Sequence, residues 1–190
     1  MKKDGKEMEK EIKEWELLDS RYLIREPWLT ARKDCFRLPD GVVMEDYYTL
    51  EYPDWVNVIA ITEDHLFIIE QQYRPGAGKV SHEICAGVCE EGESPLEAAR
   101  RELLEETGYS GGEWTYYMSL SANAGTMNNL SHTYIARGVK RTAEPALEPT
   151  EDIKVELLTL EELKSLLTSG RVIQALMTAP LWRFLYENKL

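Results

Sequence analysis

Two kinds of periodicity alternate along the chain and predict its elements. Residues 3–19 are densely charged, with Ile12, Trp15 and Leu18 as a thin apolar stripe at helical spacing, and predict an N-terminal helical arm. Short β-like runs follow. Tyr22–Arg25 is one, and 29–38 and 42–51 flank the turn Pro39-Asp40-Gly41, predicting a hairpin. Pro53-Asp54 interrupts the chain. Val56–Thr62 and Leu66–Arg74 are then β-branched and mostly apolar, as strands buried on both faces are. Val80–Cys85 reads as a short strand, and Glu113–Ser121, Leu130–Ala136 and Lys154–Leu160 as three more, with loops at 122–129 and 138–152.

Three helices punctuate these strands. Ser94-Pro95 supplies a hydroxyl N-cap and a proline at the first helical position, Glu97 completes a capping box, and Gly108 supplies a C-terminal stop. On that helix Leu96, Ala99, Leu103 and Thr107 share one face, while Glu102, Glu105 and Glu106 share another, away from the core. Thr159 with Glu162 caps a second helix, Leu160–Thr168, ended by Gly170. The third spans Val172–Tyr186 with Leu176, Trp182 and Leu185 inward, and Pro180 is set to break or kink it. Mixed strands with helices on both sides predict an α/β fold of three layers, α/β/α.

The chain of 190 residues suffices for one sizeable core with a small appended subdomain. Its net charge of −12 argues against nucleic acid, which needs a basic surface, but not against a small anionic substrate at a metal-bearing site. No apolar run reaches the roughly 18 residues of a membrane span, and the charged stretch Met1–Lys13 is unlike a secretory signal. Cys35, Cys85 and Cys89 form no C-x-x-C and are odd in number, so reduced thiols and a cytoplasmic setting are expected. His65, His82 and His132 lack metal-ligand spacing.

The stretch Gly87–Tyr109 carries seven glutamates. Like charges at i,i+3 and i,i+4 repel, so Glu102, Glu105 and Glu106 are either a solvated acidic face or a site where a divalent cation reverses the sign. Clustered carboxylate oxygens are what Mg²⁺ takes.

The spacing separates these readings. Gly87, five residues, Glu93, seven residues, then Arg101-Glu102-Leu103-Leu104-Glu105-Glu106-Thr107-Gly108-Tyr109 resembles the Nudix box, G-x5-E-x7-R-E-U-x-E-E-x-G-U, at every fixed position. The resemblance implies a Nudix α/β/α sandwich with a mixed sheet, and a pyrophosphohydrolase using Mg²⁺, with Mn²⁺ as the alternative. Glu102, Glu105, Glu106 and the carbonyl of Ala86 would bind metal. Glu93 and Arg101 would hold the loop against the helix, with Gly87 and Gly108 as structural positions.

Gln71-Gln72-Tyr73-Arg74, followed by Glu83-Ile84-Cys85-Ala86-Gly87, resembles the Q-Y-R…E-x-P-A-G lead-in of ADP-ribose and nucleotide-sugar pyrophosphatases. That branch implies Arg74 on the diphosphate, Glu83 as a substrate or metal-supporting contact, and a loop glutamate as base or metal ligand. Glu151, in Glu151-Asp152-Ile153, is the first candidate, with Glu148 and Glu144 behind it. It also implies an N-terminal β subdomain over residues 1–52 that builds a homodimer, ahead of a hydrolase domain at 53–190, with Trp28 stacking on a nucleobase. Asn128, in the loop before Leu130, is a further substrate-binding candidate. Cys85 departs from the branch's proline, and Ala124-Gly125 stands where many members have Pro-Gly. The competing readings are a Nudix hydrolase of another diphosphate (a coenzyme A derivative, a dinucleotide or a nucleoside triphosphate) and a ligand sensor without turnover. Retention of all three box glutamates speaks against the sensor.

Overall fold

The computed structural model describes residues 11–190 and divides into two units, one ending at Tyr52 and one spanning Pro53–Leu190. The first is an antiparallel meander of β1 (Glu16–Glu26), β2 (Leu29–Arg37) and β3 (Val43–Glu51), in the order β1-β2-β3. Its hub is Asp34, fully buried on the middle strand. Ser20 Oγ on β1 donates to it at 2.6 Å, Thr49 Oγ1 on β3 at 2.8 Å and Arg32 Nε at 2.9 Å. Burial works against the Asp34 charge, but these donors outweigh it and hold the carboxyl below its ordinary value.

The helix expected over 3–19 is not formed where the chain is described. Residues 3–10 lie outside the described part, 11–15 have no regular structure, and 16–19 open β1. Pairing with β2, from Glu16↔Arg37 to Glu26↔Leu29, satisfies backbone groups that a three-residue apolar stripe could not repay in a helix. Trp15 instead meets the edges of Phe36 and Tyr47, at centroid distances of 6.1 and 6.4 Å.

The second unit carries an eight-stranded mixed sheet. Its strands are β4 (Trp55–Thr62), β5 (Phe67–Arg74), β6 (Lys79–Glu83), β7 (Cys85–Val88), β8 (Tyr109–Ser110), β9 (Glu113–Leu120), β10 (Ser131–Arg141) and β11 (Lys154–Leu158). The main path runs β11-β5-β4-β10-β8, with β6 on β5, β7 on β4 and β9 on β10. The β4–β10 pair is parallel and the others are antiparallel. Three boundaries differ from the sequence reading. The run 80–85 splits at buried Ile84 into β6 and β7, β10 continues to Arg141 into the expected loop, and β8 is new.

The period of two along the central strands builds both cores. Val56, Val58, Ala60 and Ile68 pack with Ala98, Ala99 and Leu103 of α1 (Pro95–Thr107). Ile59, Ile61, Phe67 and Ile69 pack with α2 (Leu160–Thr168) and α3 (Ala175–Glu187) through Leu163, Leu166, Met177, Leu181 and Phe184. Helices therefore cover both faces, giving the expected α/β/α sandwich. Both capping boxes form, at Ser94/Glu97 and Thr159/Glu162.

α3 differs from its sequence reading. It begins at Ala175, and its inward stripe is Met177, Pro180, Leu181, Phe184 and Leu185, while Trp182 is 44% exposed. Pro180 lies inside the helix without ending it. A proline has no N–H to give the carbonyl four residues back, here that of Leu176. That carbonyl accepts from Asn57 Nδ2 on β4 at 3.1 Å, so a side-chain amide takes the place of the missing helix bond. The same Nδ2 donates to Ser131 Oγ on β10 at 2.7 Å, tying two strands and a helix at one point.

Candidate active site

The loop from β7 to α1 is held in place by one arginine. Arg101 grips Glu93 with Nε and Nη2, at 3.0 and 2.9 Å, and Nη2 also donates to the Val88 carbonyl at 3.0 Å. Its Nη1 reaches Glu102 at 2.9 Å and Glu105 at 3.1 Å. A single planar fork thus joins the loop to two carboxylates of the helix, a geometry that a lysine cannot supply. Gly87 lies against Glu102, and a Cβ there would sit within its carboxyl group. Gly108 closes the helix at φ 75°, in the left-handed region, and donates to the Leu104 carbonyl at 2.8 Å.

The three box glutamates occupy different depths. Glu105 is 47% exposed and Glu102 is 14% exposed. Glu106 is buried, which corrects the expectation that all three point away from the core. It lies three residues after Leu103 and so turns toward the strands, where its Oε2 accepts the Ala86 N–H at 3.2 Å. Burial, joined by the charges of Glu102 and Glu151, pushes its carboxyl up to about 8, against the hydrogen bonds from Cys85 and Ala86. Burial also lifts Glu102 despite its bond to Arg101. Arg101 thus partners Glu102 and Glu105 and makes no bond to Glu106. Glutamates lifted in this way, beside the backbone of Ala86, form an oxygen-donor set of the kind a hard divalent cation takes.

Glu151 is exposed in the loop before β11, and its carboxylate accepts the Glu148 N–H at 2.8 Å. Its charge acts on Glu106, so the loop brings it toward the box glutamates. Arg74, at the end of β5, spends Nε and Nη2 on Glu83, with Nη2–Oε2 at 2.6 Å. Glu83 is fully buried beneath it, and among the described residues no hydrogen bond takes Nη1, the remaining edge of the guanidinium. Arg74, Ala86 and Gly87 line one cleft of about 280 Å³, together with Trp55, Asn57, Ser131, Gln174, Leu176 and Met177.

Trp55, Asn57 and the first turn of α3 were not singled out from sequence. The available signal was Asn57, the one amide in the apolar run Val56–Thr62. Asn128 is exposed on the loop before β10, where Asn123 Oδ1 accepts the Gly125 N–H at 3.2 Å and so serves its own loop. Trp28 is 83% exposed at the β1–β2 turn of the N-terminal unit.

A buried-glutamate helix clamped by Arg101 beside a cleft, on an α/β/α sandwich, defines a Nudix-type hydrolase site. The chain belongs to the Nudix family: the NUDIX domain matches residues 51–179, and the nucleoside diphosphate sugar hydrolase N-terminal domain matches residues 15–50. It is 33% identical over 140 residues to the methanol dehydrogenase activator of Bacillus methanolicus, covering 73% of this chain and 75% of that protein. It is 32% identical over 127 residues to the ADP-ribose pyrophosphatase of Bacillus subtilis (strain 168), covering 66% and 69%. Among solved structures, an ADP compounds hydrolase superposes with a TM-score of 0.76 at 21% identity, covering 95% of this chain and 98% of that one, a likeness of fold. No described helix is long and apolar enough to cross a membrane.

Proposed function

We propose that the protein hydrolyses the pyrophosphate bond of a nucleoside diphosphate derivative, ADP-ribose or a nucleotide sugar, to a nucleoside monophosphate and a sugar phosphate. The observation that carries this reading is the convergence of the Ala86–Gly87 backbone and the Arg74 guanidinium on one cleft beside the box glutamates. The similarity to an ADP-ribose pyrophosphatase points to the same substrate class.

Glu102, Glu105, Glu106, Glu151 and the Ala86 carbonyl would hold Mg²⁺, or Mn²⁺ in its place. Held there, such an ion would neutralise phosphoryl oxygens and lower the pKa of water. Glu151, exposed in the loop before β11, takes the proton of the attacking water. Arg74 meets the diphosphate with Nη1 while Glu83 fixes its plane. Arg101 orients Glu102 and Glu105, and Trp55 offers the cleft a flat aromatic face. Asn128 is proposed to hydrogen-bond the ribose or phosphate as a polar residue of its loop, and Trp28 to stack on the base, as the branch resemblance implies.

The N-terminal unit is proposed to build a homodimer. Its β1 is exposed along its whole length, with Leu17, Tyr22, Leu23 and Ile24 each 43–50% exposed, more apolar surface than a lone meander keeps in water. Three unpaired cysteines suit the cytoplasmic setting proposed for it.

The test is Mg²⁺-dependent release of monophosphate from ADP-ribose, ADP-glucose, GDP-mannose, NADH, coenzyme A and a nucleoside triphosphate. ADP-ribose or a nucleotide sugar should lead. A clear lead by another diphosphate would replace the branch assignment, and no turnover with metal present would favour a sensor.

A further inference from the structure

Under α1, three side chains meet that the hydrolytic reading does not use together. Glu70, on β5, is fully buried, and among the described residues neither of its carboxylate oxygens has a hydrogen-bond donor, only the carboxyl of Glu106 beside it. Cys85 and Glu106, both buried, stand beside it, and one ligand atom from each of the three lies within 4.8 Å of the others. The charge of Arg74 reaches Glu70 without a hydrogen bond, because its Nε and Nη2 are held by Glu83, and it is outweighed by burial and by the charges of Glu106 and Glu83. Two carboxylates abutting in the dry interior need a cation or a proton between them. Cys85 adds sulfur at the point where the lead-in departs from proline.

We propose that Glu70, Cys85 and Glu106 form a second cation site, for a thiolate-accepting divalent transition metal of the zinc class. The donor set decides the class. Mg²⁺ takes oxygens in an octahedron and keeps its waters, whereas two carboxylates and a thiolate provide three corners of a zinc tetrahedron, with water as the fourth. On binding, the Cys85 thiol releases its proton to solvent. The cation then neutralises the Glu70 carboxylate and fixes Glu106 from the side opposite the acidic face, making Glu106 common to both sites.

The test uses the full chain, stripped with EDTA and titrated with Co²⁺, which shows a near-ultraviolet thiolate-to-metal band only when sulfur is bound. The band should appear and saturate in the wild type, be displaced by Zn²⁺ but not Mg²⁺, and persist in C35S/C89S. Cys85→Ala should abolish it, and Glu70→Gln should weaken Co²⁺ affinity by about tenfold or more. Circular dichroism of each variant confirms that it is folded. Absence of the band from the wild type, which needs no variant, overturns the proposal, as does a band that survives Cys85→Ala or an affinity unchanged in Glu70→Gln. Because turnover is not the readout, failure here leaves the pyrophosphatase reading standing, and failure of that reading leaves this one standing.

Discussion

Glu106→Gln should make the metal-free protein more stable and catalytically dead. The carboxyl of Glu106 is lifted from 4.5 to about 8, chiefly by burial. A group whose folded pKa lies above its unfolded one costs stability as pH rises between the two values, because the folded state holds the proton more tightly. Little is lost near pH 4.5, and most of the loss is present by about pH 8. With a folded pKa of about 8 and an unfolded value of 4.5, the accumulated cost at about pH 8 is on the order of 4 kcal/mol. Glutamine removes the charge and keeps the shape. Its amide oxygen still accepts the Ala86 N–H, and its NH₂ can donate to the unpartnered oxygens of Glu70. Urea denaturation in EDTA would measure it, with wild type and variant compared at about pH 5 and about pH 8. The variant should gain little at the lower pH and gain clearly at the higher, and Mg²⁺ should stabilise the wild type but not the variant. A variant that is equally or less stable at about pH 8 would refute the reasoning, and near-wild-type hydrolysis would remove Glu106 from the metal set.

Glu151→Gln should slow turnover by more than about tenfold with KM little changed; an unchanged rate would move the role to Glu148 or Glu144. Gly87→Ala should displace the Glu102 carboxyl and weaken Mn²⁺ binding, measured by electron paramagnetic resonance, without unfolding the chain; unaltered binding would show that the close approach is dispensable. Sedimentation should give a dimer, and a clean monomer would leave β1 of the N-terminal unit without its proposed cover.

Elements with their own local signals were legible in the sequence. Ser94-Pro95, Glu97 and Gly108 bounded α1, Thr159 and Glu162 began α2, and the mostly apolar, β-branched runs marked β4 and β5. What escaped depended on partners distant in the chain. The first part of β1 is charged enough to read as helix, with only Tyr22–Arg25 legible as a β run, and it is β2 opposite that makes the whole of Glu16–Glu26 a strand. Trp182 was placed inward with Leu176 and Leu185, but the stripe through Met177, Leu181 and Phe184 leaves it outside. The box positions were readable from spacing, whereas the burial of Glu106 was not. A helical wheel groups it with Glu102 and Glu105, and only the β7 backbone shows that it faces inward. Trp55 and Asn57 were hidden for a similar reason, since nothing local in a core strand says that its end opens on a cleft.

The substitution of a side-chain amide for a helix bond at Leu176 also indexes α3 against the sheet. Apolar contacts alone permit a helix to creep along its groove, because one methyl replaces another at little cost. A carbonyl deprived of its donor by Pro180 occurs at one position of α3, and Asn57 is seated on it. Sliding α3 by a residue would offer Asn57 a carbonyl whose own helix donor is in place and leave that of Leu176 empty. The cleft wall built from Gln174, Leu176 and Met177 is therefore registered against Arg74 and the Ala86–Gly87 backbone by this hydrogen bond as well as by the buried stripe of α3.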